Sequence, residues 1–147
     1  MQGIKPIMSS ASVEWPTPQG LFDRLNEKYR FTLDPCATPE NAKCNRYFTE
    51  SDDGLKQSWR GERVFCNPPY GRGHTKRWVQ KCAEEAKDPN TLIVLLIPAR
   101  TDTAAFHDYL YQKDNVEIEF IRGRLKYGGG ENNAPFPSML AIFNGGK

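Results

Sequence analysis

Residues 90–99 read NTLIVLLIPA. Leu92 to Ile97 run apolar without a break, so the segment has no polar face. That is the pattern of a strand covered on both sides, not of one lying against water. Such a strand needs helices above and below it, and the chain offers them. TPQGLFDRLNEKY (17–29) sets Leu21, Phe22, Leu25 and Tyr29 at helical spacing, with Thr17 placed to cap and Pro18 in the first turn. GHTKRWVQKCAEEAK (73–87) reads as a helix capped by Thr75, and TDTAAFHDYLYQK (101–113) as another. Short strands are expected in RFTLD (30–34), NRYFTE (45–50) and RVFC (63–66). VEIEFIRGRLKYG (116–128) alternates with period two, and SMLAIFN (138–144) is a final strand. Strands alternating with helices predict an α/β fold, a mostly parallel sheet with helices on both faces. The two consecutive strands at the end predict an antiparallel C-terminal pair at its edge.

A chain of 147 residues is expected to form a single domain over 1–147, with a loose N-terminal arm at 1–13. With 38% apolar and 26% charged residues it reads as globular, not disordered. A net charge of +2 permits a nucleic-acid partner without requiring one, so a local cluster of cations must make that case. Cys36, Cys44, Cys66 and Cys82 form no CxxC pair, and His74 and His107 are far apart, so no metal is expected. The cysteines fit reduced thiols in a cytosolic protein. There is no signal-peptide pattern and no apolar run of about 18 residues, which predicts a soluble, cytoplasmic chain and no membrane partner.

Three expected strands end in proline-marked polar loops: Asp34-Pro35, Asn67-Pro68 and Pro98-Ala99-Arg100. In a parallel sheet these would gather at one rim, beyond the carboxyl ends of the strands, where ligands bind in open α/β folds. Asn67-Pro68-Pro69-Tyr70 is the most specific of them. Each proline fixes φ near −65° and removes an N–H. The segment is therefore stiff and keeps free acceptors, joined by the Asn67 side-chain carbonyl. Two fixed acceptors suit a ligand amine with two hydrogens to give, and Tyr70 offers a flat face to a planar ring. A planar ring with an exocyclic amine is adenine or cytosine. Drawing two hydrogen bonds from that amine pulls its delocalised lone pair toward tetrahedral geometry, where it can attack an electrophile. Asn67 is no general base, so the spare proton leaves to solvent.

NPPY after a strand resembles the catalytic motif of amino-methyltransferases that use S-adenosylmethionine. More closely, the chain resembles the small phage-type, Dam-like DNA N6-adenine methyltransferase family. EWPTP, LDPCAT with NAKCNRYFT, DGL followed by a tryptophan, NPPYGR, LLIPARTDT, GRLKY and APFPSMLAIF carry the resemblance in order along nearly the whole chain. The resemblance implies a trimmed, Rossmann-like methyltransferase sheet, S-adenosylmethionine as cofactor and DNA as partner, in a bacterial host cell from a phage or prophage gene. Asn67, Pro68, Pro69 and Tyr70 would be catalytic. Asp34, Pro35, Cys36 and Ala37 stand where the cofactor-binding turn follows the first strand, although the glycines usual there are missing. Trp15, Thr17 and Pro18 resemble the element that reaches the cofactor's carboxylate. Asp53 would lie near the cofactor's adenine, in competition with Asp52 and Glu50. The short interval from Asp34 to Asn67 implies no separate target-recognition domain.

The cations cluster. Arg72, Lys76 and Arg77, with His74, follow NPPY directly, and Arg100 follows a strand end. Arg122, Arg124 and Lys126 alternate, which would put them on one face of a strand. Together they would neutralise phosphates while a base is turned out of the duplex. The run 128–130 reads as a mobile loop or a long hairpin connection. Trp59 and Trp78 read as core, and His107 as structural or surface. Two other readings stay open: an amino-methyltransferase acting on N4 of cytosine, an RNA base or a protein glutamine, and a catalytically silent nucleic-acid-binding module.

Overall fold

The computed structural model describes residues 15–71, 73–127 and 133–144. The expected arm at 1–13, Arg72 and the glycine run at 128–130 lie outside the described residues.

Helix α1, Gln19–Tyr29, buries Leu21 and Phe22, and partly buried Leu25 and Tyr29 pack beside them. Asn26 ends it: its carbonyl accepts the Arg30 N–H at 2.8 Å and its side chain accepts the Phe31 N–H at 2.8 Å. Thr17 is not the cap. Pro18 holds the N-cap position, its carbonyl taking the Phe22 N–H at 3.1 Å, and Thr17 is turned inward and buried. Helix α2, His74–Glu85, buries Trp78, Val79 and Cys82. Thr75 does not cap it either. The chain leaves NPPY through Gly71 and Gly73, both at positive φ, so the helix is entered two residues earlier with Gly73 at the N-cap.

Among the described residues the sheet has six strands: β1 Leu33–Asp34, β2 Arg46–Tyr47, β3 Arg63–Cys66, β4 Leu92–Pro98, β5 Val116–Phe120 and β6 Ser138–Asn144. Their order is β2-β1-β3-β4-β6-β5. β2, β1, β3 and β4 run parallel, and β6 is antiparallel to both β4 and β5. The expected antiparallel C-terminal pair is present at one end of the sheet. Within that pair β6 is the inner strand, between β4 and β5, and β5 is the outer one. The side chains explain this: β6 is buried at every position from Ser138 to Phe143, whereas β5 carries exposed Glu117 and Glu119. β5 also stops at Phe120. The chain beyond it, with Gly123 at φ 78°, is irregular, so Arg122, Arg124 and Lys126 do not lie on one strand face. The helix expected over 101–113 is short, a π-helical turn at Phe106–Leu110 with Gln112 at φ 58° just beyond it.

Successive side chains of a strand point to opposite faces, and β3 shows where the helices go. The Phe65 ring meets Phe22 of α1 at 5.2 Å. Cys66, on the opposite face, lies against Cys82 of α2. The sheet is covered on both faces, as its apolar β4 requires.

Trp59 is fully buried, stacks on Trp78 at 6.3 Å and donates its indole N–H to the Gly54 carbonyl at 3.0 Å. Gly54 begins a 3-10 turn, Gly54–Lys56, that presses on the loop after β1. A Cβ at Gly54 would lie 2.1 Å from the Pro35 carbonyl oxygen and 3.1 Å from the Trp78 ring. Gly54→Ala is expected to lower the unfolding free energy by about 1–3 kcal/mol, the range for overpacking a filled site. Urea denaturation measures this, and a midpoint equal to the parent's would show that the two loops are not in contact.

Candidate active site

The sheet has a switch point. From β1 the chain moves to β2 on one side; from β3 it moves to β4 on the other. Loops leaving the carboxyl ends of β1 and β3 therefore diverge, and a crevice opens between them. A cavity of about 520 Å³ lies there, within the range of small-molecule sites. Trp15, Thr17, Asp34, Pro35, Cys36, Ala37 and Asp53 line it, as do Asn67, Pro68 and Pro69. Pro18 and Tyr70 do not. Of the cations grouped with nucleic acid, Arg77 lines it, and Lys76, Arg100, Arg122, Arg124 and Lys126 do not.

The Asn67 carboxamide is tied at both ends. Its Nδ2 donates to the Trp15 carbonyl at 2.6 Å and to Thr17 Oγ1 at 2.9 Å. A carbonyl can only accept, so this fixes which end is nitrogen. Oδ1 accepts the Tyr70 hydroxyl at 2.6 Å and keeps a second lone pair. Among the described residues no hydrogen bond reaches the Pro68 carbonyl. The acceptor pair expected from the sequence is thus present at the rim. Tyr70 stands differently from its expected place. Its ring is 3% exposed, edge-on to Tyr127 at 6.2 Å and Phe136 at 5.6 Å, and offers no free face to the cavity. Burial pushes its hydroxyl well above the ordinary range, so it remains a neutral donor.

Asp34 is 5% exposed, and its carboxylate accepts the Cys36 N–H at 3.4 Å and the Lys43 N–H at 3.0 Å. Among the described residues no cation forms an ion pair with it. Burial pushes its carboxyl up, against the pull of those two N–H groups and the Lys43 charge. The structure also separates the three acidic candidates. Asp52 points its carboxylate at Thr49, taking the N–H at 2.9 Å and the hydroxyl at 3.1 Å, and does not line the cavity. Asp53 and Glu50 do line it. Asp53, at φ 58°, spends one oxygen on the Leu55 N–H at 3.2 Å.

Cys36 faces Cys66, sulfur to sulfur at 3.8 Å. Burial pushes both thiols up, and the Cys44 thiol up to about 12. All three are held neutral, and Cys36 among them lines the cavity. Among the described residues no group of His, Cys, Asp and Glu could hold a metal ion, and no helix is long and apolar enough to cross a membrane.

Trp78, Gly54 and Leu55 also line the cavity, which the sequence did not indicate, and His74 joins Arg77 there from the cluster after NPPY. His74 and Trp78 sit on α2, and the only signal was that this helix follows NPPY immediately. Trp59 and Trp78 are core as expected, and His107 is exposed, with Nε2 2.8 Å from the Thr101 carbonyl.

A sequence model of the family described as DNA N-6-adenine-methyltransferase (Dam) matches residues 7–142. The chain is similar to the DNA N-6-adenine-methyltransferase of Escherichia phage T1, 29% identical over 133 residues, which are 89% of this chain and 54% of that protein. It is also similar to the methyltransferase-like protein YfdM of Escherichia coli (strain K12), 37% identical over 65 residues, 39% of this chain and 70% of that protein. The chain spans about half the length of the phage relative.

A carboxyl whose folded pKa is raised binds its proton more tightly in the folded chain. Its stabilisation is complete below the unfolded value of 3.8 and is lost as pH rises through the folded value. Asp34→Asn removes that loss. Without ligand, its unfolding free energy is expected to gain on the parent's as pH rises above about 4, an onset set by the unfolded carboxyl. Urea titrations at several pH values measure the gap, and a gap that moves the other way would mean the folded site favours the carboxylate.

Proposed function

The chain belongs to the DNA N-6-adenine-methyltransferase (Dam) family, and from that premise we propose that it transfers a methyl group from S-adenosylmethionine to N6 of an adenine turned out of DNA. The observation that carries the proposal is the Asn67 carboxamide, locked with one Oδ1 lone pair to spare beside the open Pro68 carbonyl. These two acceptors take the two hydrogens of the adenine amine. The interaction strengthens as positive charge builds on nitrogen, so it favours the transition state over the bound base. Prolines 68 and 69 keep the acceptors from relaxing away.

The cavity fits the proposed cofactor by the chemistry of its lining. Asp34, buried without a cation, would hold the ammonium group. Asp53 and Glu50 would take ribose hydroxyls, and Trp78 and Leu55 offer apolar surface to the adenine. When bound, S-adenosylmethionine supplies an electrophilic methyl on a positively charged sulfur. The thiols nearby are held neutral and so do not compete with the amine for it.

Lys76, Arg77, Arg100, Arg122, Arg124 and Lys126 are exposed. Arg100 stands two residues past the end of β4, at the carboxyl rim that β4 shares with β3. We assign these cations, with Arg72, to DNA phosphates, Arg77 at the junction of duplex and cavity. Residues 1–147 would act as one Rossmann-like methyltransferase domain in the cytoplasm of a bacterial host, from a phage or prophage gene.

The test is transfer of labelled methyl from S-adenosylmethionine to unmethylated DNA, followed by digestion to nucleosides. Label in N6-methyladenine is expected, with kcat down about 10²–10³-fold in Asn67→Ala, the loss typical of one oriented transition-state partner. Label in N4-methylcytosine, or none in DNA while the cofactor still binds, would move the substrate elsewhere. For the phosphate contacts, Arg100→Ala and Arg124→Ala should each reduce the slope of log K against log salt by about 1. Equal slopes in parent and variants would remove these residues from the interface.

A further inference from the structure

Behind Asn67 lies a row of hydroxyls that the cavity does not touch. Tyr127 is 8% exposed and Ser138 1%. Tyr127 OH lies 2.8 Å from Ser138 Oγ and 3.4 Å from Tyr70 OH. Tyr70 OH lies 2.6 Å from Asn67 Oδ1 and 3.1 Å from the Leu96 carbonyl. Four distant parts of the chain meet here: the loop after β3, strand β4, the segment before the glycine run, and the start of β6.

Each hydroxyl has one hydrogen to give. Tyr70 has two acceptors competing for its hydrogen, Asn67 Oδ1 and the Leu96 carbonyl. Only the first choice helps Asn67. The donor that approaches from the other side decides the matter. When Tyr127 donates to the Tyr70 oxygen, that oxygen is engaged and the Tyr70 hydrogen is directed to the nearer acceptor, Asn67. Either hydroxyl of each pair can donate; when Ser138 donates to Tyr127 and Tyr127 to Tyr70, both tyrosine oxygens receive a hydrogen and the Tyr70 hydrogen stays on Asn67. The row then points one way, from Ser138 through Tyr127 and Tyr70 to Asn67, and each bond polarises the next.

We infer that Tyr127 and Ser138 are positioning residues of the methyl-transfer site, acting through Tyr70 to hold the Asn67 carboxamide with one set lone pair facing the substrate amine. The inference rests on the methyl-transfer reading for its catalytic consequence. It goes beyond that reading in assigning work to two side chains that touch neither substrate nor cofactor. The row also accounts for the place of Tyr70. Its ring is caged by Tyr127 and Phe136 so that its hydroxyl, not its face, serves the site.

Two readouts test it. The first needs no activity: the side-chain amide resonances of Asn67 in the ligand-free, isotope-labelled protein, assigned by their loss in Asn67→Ala. They are expected to shift in Tyr127→Phe and in Ser138→Ala, while both variants melt cooperatively. The second is kinetic. Each variant is expected to lose about fivefold in kcat, the effect of one ordinary hydrogen bond, with KM for cofactor and DNA unchanged. In the Tyr70→Phe background Tyr127→Phe should add nothing, because its route to Asn67 is already cut. Unmoved Asn67 resonances would overturn the relay whatever the rates. A full additive loss in the double variant would show that Tyr127 acts by another route and overturn it as well. If the parent fails to methylate DNA, the functional reading falls, and the resonances still decide the relay.

Discussion

One carboxamide holds the rim together. The Asn67 side chain reaches back 52 residues to the Trp15 carbonyl and 50 to the Thr17 hydroxyl, and forward three to Tyr70. The segment ahead of α1 is docked by those bonds and by Trp15, whose ring lies edge-on to Phe136 at 5.2 Å and to Tyr127 at 5.7 Å. The aromatic cluster therefore does two jobs. It closes the sheet's carboxyl end around β6, and it fixes Trp15 and Tyr70, two of the amide's three partners. Loosening any member loosens the others, because a buried polar group that loses its partner is costlier than one never built.

Much of this was written locally in the chain. The covered β4, the polar endings of β1 and β3 and the acceptor pair at Asn67-Pro68 each follow from a few consecutive residues. Those residues fix their own backbone by apolar runs and prolines, and the sheet's crossover then brings them to one crevice. Asp34 and Asp53 line it for the same reason.

What could not be read depends on which distant side chains meet. Thr17 has the chemistry of a helix cap, and nothing within its own segment says that an amide 50 residues away takes its hydroxyl instead. Tyr70 looks like a stacking surface until Tyr127 and Phe136 are seen to enclose it. The alternation from Val116 to Lys126 looks continuous because period two ignores backbone sign, yet the strand stops at Phe120 and the chain beyond it, with Gly123 at φ 78°, is irregular. The place of β6 between β4 and β5 follows from its uniform burial, a property that local pattern suggests but that neighbour choice alone settles. Arg77 and His74 reach the cavity because α2 starts so soon after the rim.

The departures from ordinary local preference are not scattered. Among the described residues, three other than glycine have positive φ. Arg30 and Gln112 stand just past a helix and a helical turn, where such a conformation is routine. Asp53 does not: it lines the cavity, and its backbone is held there by its own carboxylate on Leu55. Beside it, Gly54 allows a backbone approach to Pro35 that no side chain would permit. One residue before Pro35, Asp34 keeps a carboxylate where burial disfavours it. Three adjacent sacrifices around one crevice are what a site looks like when its geometry serves a ligand and not the fold. The same crevice lies at the switch point, where the sheet's own connectivity leaves it room. Topology opens the space, and Asp34, Asp53 and Gly54 shape its wall.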